Sequence, residues 1–260
     1  MGSRTKKAEA VVLRSLRYGE ADRILHLFTK EQGRVGAIAK GARRTHSRLG
    51  ARLEPFSHIE ILFHEGRGEL ATVTGADLVR SHQALASDPY RLAVGVIGLE
   101  AVLRLFIEHD ANPRAFHALV RFLDLLDEPS DAGSTSPTRP RHDGATGDPA
   151  LDPLGLSFQL KLLWLAGYLP HLASCAGCGA PVPLVGFSGA AGGAVCRDCS
   201  AGAIEISAAG FLGLRNLLER PLAGARSAGL ATGAAREALR VIESVYEYHG
   251  GFRMRTLARR

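Results

Sequence analysis

Phe56-Ser57-His58-Ile59-Glu60-Ile61-Leu62-Phe63-His64 decides how the first eighty residues read. Ile59, Ile61 and Phe63 fall on one side of an extended chain, and His58, Glu60 and His64 on the other. That period of two is the mark of a half-buried β-strand. Short apolar runs at 10–16, 24–29, 35–40 and 70–79 supply four more candidates. Tyr18-Gly19-Glu20, Glu31-Gln32-Gly33 and Gly66-Arg67-Gly68 supply the turns between them. Five short strands with a long loop after the third suit a small Greek-key barrel of the OB type, and an SH3-like barrel fits the pattern almost as well.

Beyond Ser81 the period changes to that of a helix. Asp88-Pro89 marks a helix start, and Leu92, Val96, Leu99, Leu103 and Phe106 recur at helical spacing. Pro113 opens a second helix carrying Phe116, Leu119, Val120, Leu123 and Leu126. Asp124, Asp127 and Glu128 at its end read as a solvated face. Further helices fit about 153–168, 207–219 and 232–249, the last with Ala235, Leu239, Ile242, Val245 and Tyr246 on one side. Residues 129–150 hold almost nothing apolar and read as a flexible polar insertion. The expected fold is therefore α+β: a five-stranded OB-type barrel over 1–80, and a helical domain over 81–128 and 151–260. A small metal ribbon is inserted in that domain at 173–202.

The ribbon rests on Cys175-Ala176-Gly177-Cys178 and Cys196-Arg197-Asp198-Cys199, which hold all four cysteines of the chain. Each Cys-x-x-Cys turn brings two sulfurs within reach of one ion, and two such turns complete a tetrahedral zinc site. Two disulfides are the competing reading. They are disfavoured because no apolar leader segment follows the charged N-terminus, and reduced thiols are the rule in the cytoplasm. Four thiolates leave no open position on the ion, so the expected Zn2+ is structural. His171, just before the ribbon, reads as a surface or helix-end residue.

Net charge is +6 over 260 residues, and it is unevenly placed. Residues 1–80 carry 15 Lys+Arg against 9 Asp+Glu, residues 81–252 carry 13 against 17, and 253–260 add four arginines. Such segregation suggests a polyanion-binding module on a neutral-to-acidic scaffold. Its densest stretch is Lys40-Gly41-Ala42-Arg43-Arg44-Thr45-His46-Ser47-Arg48-Leu49-Gly50-Ala51-Arg52. With Lys40, Arg43, Arg44, Arg48 and Arg52 among glycines and small residues, it reads as a flexible arm able to follow a phosphate backbone. Arg14, Arg17, Arg23 and Arg34 extend the patch if they face outward. Phe56 and Phe63 read as core, so binding is expected to rest on phosphates more than on base stacking.

Several chemistries are excluded by their motifs. Gly66-Arg67-Gly68-Glu69-Leu70-Ala71 matches a dinucleotide fingerprint on paper, but Thr72-Val73-Thr74-Gly75 after it favours strand and turn over the required helix. No Walker loop, His-Glu-x-x-His or Gly-x-Ser-x-Gly occurs, and no enzyme active site is expected. No apolar run reaches the length of a membrane span. A soluble cytoplasmic, nucleoid-associated protein is expected.

Three blocks carry a family resemblance. They are Tyr18-Gly19-Glu20-Ala21-Asp22-Arg23 and its continuation to Thr29, Ala39-Lys40-Gly41-Ala42-Arg43-Arg44 with Leu53-Glu54-Pro55-Phe56, and the stretch from Phe158 through Gly167-Tyr168-Leu169-Pro170 to Cys175 and Gly179. With the second cysteine pair they resemble RecO, the bacterial recombination-mediator family. The resemblance implies an OB barrel, a helical domain and an inserted zinc ribbon. It also implies binding of single- and double-stranded DNA and annealing of strands coated by single-strand-binding protein. RecR is implied as the partner in loading RecA. The acidic C-terminal tail of single-strand-binding protein is expected on the helical domain, with Arg114, Arg121 and the C-terminal arginines as candidate contacts. The alternative keeps the modules and changes the ligand to structured RNA or ribosomes.

Overall fold

A computed structural model describes residues 5–65, 68–128 and 147–257. Contacts divide the chain into two compact units, Met1–Asp88 with Phe106–Glu128, and Pro89–Leu105 with Pro129–Arg260. Most of the polar insertion expected at 129–150 lies outside the described residues, as do Gly66, Arg67 and the last three residues.

In the first unit, β1 (Thr5–Tyr18), β2 (Asp22–Thr29), β3 (Gly33–Ala39), β4 (His58–His64) and β5 (Ala71–Arg80) close a barrel in the order β1-β2-β3-β5-β4. The β3–β5 pairing is parallel and the others are antiparallel, the OB arrangement. Ala71 opens a strand, so the fingerprint-like glycines precede no helix. Long β1 serves two neighbours: it pairs with β4 through Val11, and with β2 from Ala10 to Tyr18. The register shifts between Val12 and Arg14, leaving Leu13 as an extra residue that bends the strand. Ala10, Val12, Leu25, Leu27, Ile59, Ile61, Phe63 and Val73 fill the interior.

The first unit also takes in α1 (Gln83–Ser87) and α3 (Pro113–Asp127), while α2 (Pro89–Leu105) belongs to the second. This differs from the division at Ser81 expected from sequence, and the reason is packing across the chain. Phe28 points out of the barrel from β2 yet is fully buried, with its ring 5.3 Å from Phe106 and 6.3 Å from Phe116. Asp124 and Asp127 are not a solvated face. Asp124 pairs with Arg80 (3.0 Å) and with the buried His82 (3.1 Å), and Asp127 accepts from the Leu85 N–H (2.9 Å). These contacts tie the end of α3 to the segment that leaves the barrel.

One glycine in this unit has no tolerable substitute. Gly33 has φ +66°, and a Cβ there would collide with the Asp110 carbonyl, because 106–110 bridges to the start of β3. Gly33→Ala combines left-handed strain with backbone overlap. We expect a loss of about 3 kcal/mol or more in a urea unfolding titration. A loss under about 1 kcal/mol would mean that 106–110 moves aside freely.

The second unit is built on α4 (Pro153–Leu165), α5 (Ala208–Glu219), α6 (Thr232–Tyr248) and α2. Proline at its first position and the buried Asp152, which accepts from the N–H groups of Leu154 and Gly155, start α4. Apolar on nearly every side, α4 is the central helix: Leu156, Phe158, Leu160, Leu162 and Leu163 are fully buried. Its polar interruptions are satisfied, Ser157 donating to the Leu217 carbonyl (2.7 Å) and Tyr246 to Gln159 (3.3 Å). In α2 the expected stripe is only partly the buried one. Leu92 and Val96 are exposed while Val94, Ile97, Leu99 and Val102 are buried, since a helix apolar all round has no preferred face to read. The small sheet β6 (Leu184–Ser188), β7 (Gly193–Cys196) and β8 (Ile204–Glu205), in the order β7-β6-β8, is the ribbon. Among the described residues no helix is long and apolar enough to cross a membrane.

Candidate nucleic-acid interface and metal centre

The basic stretch joins β3 to β4 along one rim of the barrel, and it is folded where the sequence suggested a flexible arm. Ala42 and Leu53 are buried in the barrel core, and half-buried Leu49 packs against it. Gly50–Leu53 forms a turn of 3-10 helix. At its start the Gly41 N–H donates to Asp22 Oδ1 (2.7 Å) and the Arg43 N–H to the Ala21 carbonyl (2.8 Å). The loop is thereby fixed to the β1–β2 turn, and its apolar residues act as anchors that the charge pattern had masked.

The nine expected cations separate into two groups. Arg43 donates to the Gly19 and Glu20 carbonyls (3.3 and 3.1 Å). Arg52 bonds the Ala76 carbonyl (2.6 Å) and Asp77 (3.2 Å). Arg23 bridges Ser15 (2.9 Å) and Glu54 (2.6 Å), and Arg34 holds the Phe106 carbonyl (2.9 Å) and Glu108 (3.2 Å). These four brace the rim. Lys40, Arg44, Arg48, Arg14 and Arg17 are exposed and form no ion pair among the described residues. Of the other arginines, Arg121 pairs with Glu128 (3.5 Å) and Arg253 with Glu247 (2.8 Å), while Arg259 and Arg260 lie outside the described residues.

Beside the loop, the outer face of β1, β2 and β3 presents residues that the charge count did not single out. Register places Arg14 opposite His26, Leu16 opposite Ile24, Ile24 opposite Ile38, and His26 opposite Gly36. Leu16, Ile24 and Ile38 are half-buried, a small apolar platform edged by cations. The even positions of β2 would have revealed it. The same alternation includes Phe28, which α3 covers, so period alone could not separate the open part of the face from the closed part.

In the second unit the four cysteine sulfurs lie within 4.8 Å of one another and could hold a metal ion. Ligands about 2.3 Å from a tetrahedral ion stand about 3.8 Å apart, and the Cys178 and Cys196 sulfurs are 3.9 Å apart. Turns shape each pair: the Gly179 N–H donates to the Cys175 carbonyl (2.8 Å) and the Cys196 N–H to the Cys175 sulfur (3.3 Å). At Gly177 a Cβ would press on Cys199 at 3.1 Å, so a side chain there would make Cys199 give way by a few tenths of an ångström. The donor chemistry calls for a cation. Backbone N–H groups of Cys196 and Cys178 bring the Cys175 thiol down to about 6, whereas hydrogen bonds to Cys196, Cys175 and Cys178 push Cys199 up to about 12. Four sulfurs so close cannot all ionise unaided, and a divalent ion removes that conflict. His171 is exposed, bonds Ser174 (2.9 Å) and is not among the four ligands.

Two family models match this chain, one after the other. Residues 1–82 match the model described as recombination protein O N terminal, and 145–258 that described as recombination protein O C terminal. The chain is 41% identical over 227 residues to the DNA repair protein RecO of Rubrobacter xylanophilus, covering 85% of this chain and 84% of that one. It is 35% identical over 254 residues to the RecO of Anaeromyxobacter sp. strain K, covering 95% and 92%. To the RecO of Thermobifida fusca it is 39% identical over 204 residues, covering 77% and 76%. With both family models matched in order and relatives aligned over most of their length, the chain belongs to the RecO family of DNA repair proteins.

Proposed function

We propose that the chain binds single- and double-stranded DNA, anneals complementary strands coated with single-strand-binding protein, and acts with RecR in loading RecA. The observation that carries this reading is the group of five unpaired cations, Lys40, Arg44, Arg48, Arg14 and Arg17, on one rim and face of an OB barrel. Neutralising phosphates lowers the repulsion between two complementary strands, and base pairing then drives the annealing. No group of the protein breaks or forms a covalent bond in this scheme, so the chain is not an enzyme. The metal is one Zn2+ on Cys175, Cys178, Cys196 and Cys199, and it supplies local folding energy.

The second unit offers a seat for the acidic tail of single-strand-binding protein. A groove of about 660 Å³ is lined by Trp164, Leu169 and Leu218 together with Arg215, Glu219 and Lys161, whose ammonium donates to the Leu218 carbonyl (2.6 Å). Trp164 is 54% exposed, costly for an indole with nothing to cover it. Apolar walls with Lys161 and Arg215, against the single carboxylate Glu219, suit an acidic peptide that also carries apolar side chains.

The test mixes complementary oligonucleotides, bare or coated with single-strand-binding protein, with and without the chain. Acceleration of both is expected. In Lys161→Ala/Trp164→Ala, acceleration should persist for bare strands and fall for coated ones. No acceleration of either by the wild type would sink the annealing reading, and preference for structured RNA would favour a different ligand.

A further inference from the structure

His26 stands at the centre of the uncovered barrel face, and its surroundings are unusual for a histidine. Arg14 lies directly opposite on β1, and Gly36 directly opposite on β3. Arg34 follows two residues before Gly36, its guanidinium oriented by the Phe106 carbonyl and Glu108. Gly36 brings no side chain of its own beside the imidazole, and the Leu70 side chain takes that space, 2.9 Å from where a Cβ would stand. The half-buried ring thus stands on the outer face beside the exposed guanidinium-bearing Arg14.

We propose that His26 is a proton-coupled phosphate contact: a phosphate of the nucleic acid held by Arg14 draws a proton onto the imidazole beside it, so that binding takes up one proton. This rests on the nucleic-acid reading given above. Burial first, then the fields of Arg14 and Arg34, hold His26 below the ordinary histidine value of 6.5, and Glu108 opposes them weakly. Other charges near this part of β3 are Glu65 and Glu69, which line a shallow cavity with Gly36 and His109; Glu65 is engaged by Lys6 (2.6 Å). In the free protein the ring therefore holds its proton less readily than an ordinary imidazole. A phosphate reverses the local field, since a monoanion beside the ring stabilises the imidazolium and uses its second N–H.

The sign follows from linkage. The complex holds the proton more tightly than the free protein, so affinity is greatest at low pH. It is lost as pH rises through the value of the bound histidine, by at most about tenfold per pH unit. The experiment measures binding of an oligothymidylate by fluorescence anisotropy from pH 5.5 to 8.5 at constant ionic strength, for wild type, His26→Gln and His46→Gln. His46 is the other histidine among the basic residues of the rim. Wild type and His46→Gln should weaken by roughly tenfold across the range, while His26→Gln should bind at the wild type's high-pH strength throughout. Thermal melting of His26→Gln shows whether it folds. If it does not, ring NMR of the wild type decides, with the His26 titration expected to move upward on adding the oligonucleotide. A wild-type affinity flat with pH, a slope retained in His26→Gln, or an unmoved His26 titration overturns the inference and leaves the nucleic-acid reading intact. Absence of binding at every pH overturns that reading itself.

Discussion

Cys196→Ser/Cys199→Ser should lose the metal and unfold the ribbon, with the melting transition of the second unit falling by ten degrees or more, on the order of several kcal/mol. The reason is how little else holds 173–202 together. Apart from the cysteines, it buries only the side chains of Phe187, Ala194 and Val195, with Leu184 and, just beyond it, Ala203 partly buried against the cysteine cluster. Burying so few side chains contributes only about 2 kcal/mol each, less than the backbone entropy of ordering a segment of that length. A bound structural zinc contributes about 10–16 kcal/mol in small finger peptides at neutral pH, enough to reverse the balance. Metal analysis should find one zinc per wild-type chain and none in the variant. Limited proteolysis should cut the variant first between 173 and 202. Binding to an oligonucleotide should survive, because none of the five unpaired cations is in the ribbon. A variant that melts like wild type and resists cleavage there would show that the sulfurs need no ion.

The second large effect concerns the rim. Lys40→Glu/Arg44→Glu/Arg48→Glu should weaken single-stranded DNA binding by on the order of 100-fold at 0.1 M salt, and further through repulsion. If all five unpaired cations meet phosphates, log K falls with log salt at a slope of about −3.5, and losing three leaves about −1.4. None of the three is paired in the folded protein, so thermal stability should change little. The contrast is Arg52→Ala, which removes bonds to the Ala76 carbonyl and Asp77 and should act through the packing of the loop. A salt slope near zero in the wild type, or an unaltered slope in the triple variant, would remove phosphate contact as the basis of binding.

Local pattern was enough to find the strands, the main helices and the cysteine ribbon. The alternation at Ile59, Ile61 and Phe63 and the spacing of the cysteines are properties of neighbours in sequence. What local pattern missed depends on distant residues. Nothing near Phe28 says that Phe106 and Phe116 will cover it, so α3 read as part of the helical domain. Charge counting likewise could not tell an unpaired arginine from one that braces the rim. Arg23 finds Glu54, Arg34 finds Glu108 and Arg52 finds Asp77 only in three dimensions. His26 escaped because a lone histidine in an apolar run carries no signal until its strand neighbours are known.

The anchoring of the basic loop by Asp22, Ala42 and Leu53 has a consequence for the ligand. A flexible arm would adapt to whatever it met, and ordering it would subtract from affinity with each immobilised side chain costing about 0.5–1.5 kcal/mol. On the function proposed above, a rim already folded transfers that adjustment to the nucleic acid, which must bend to the fixed spacing of the charges. A single strand does so readily, whereas a duplex with a persistence length of about 150 base pairs does not. Preference among nucleic acids then becomes a matter of their stiffness, set by a loop whose own shape is settled before either strand arrives.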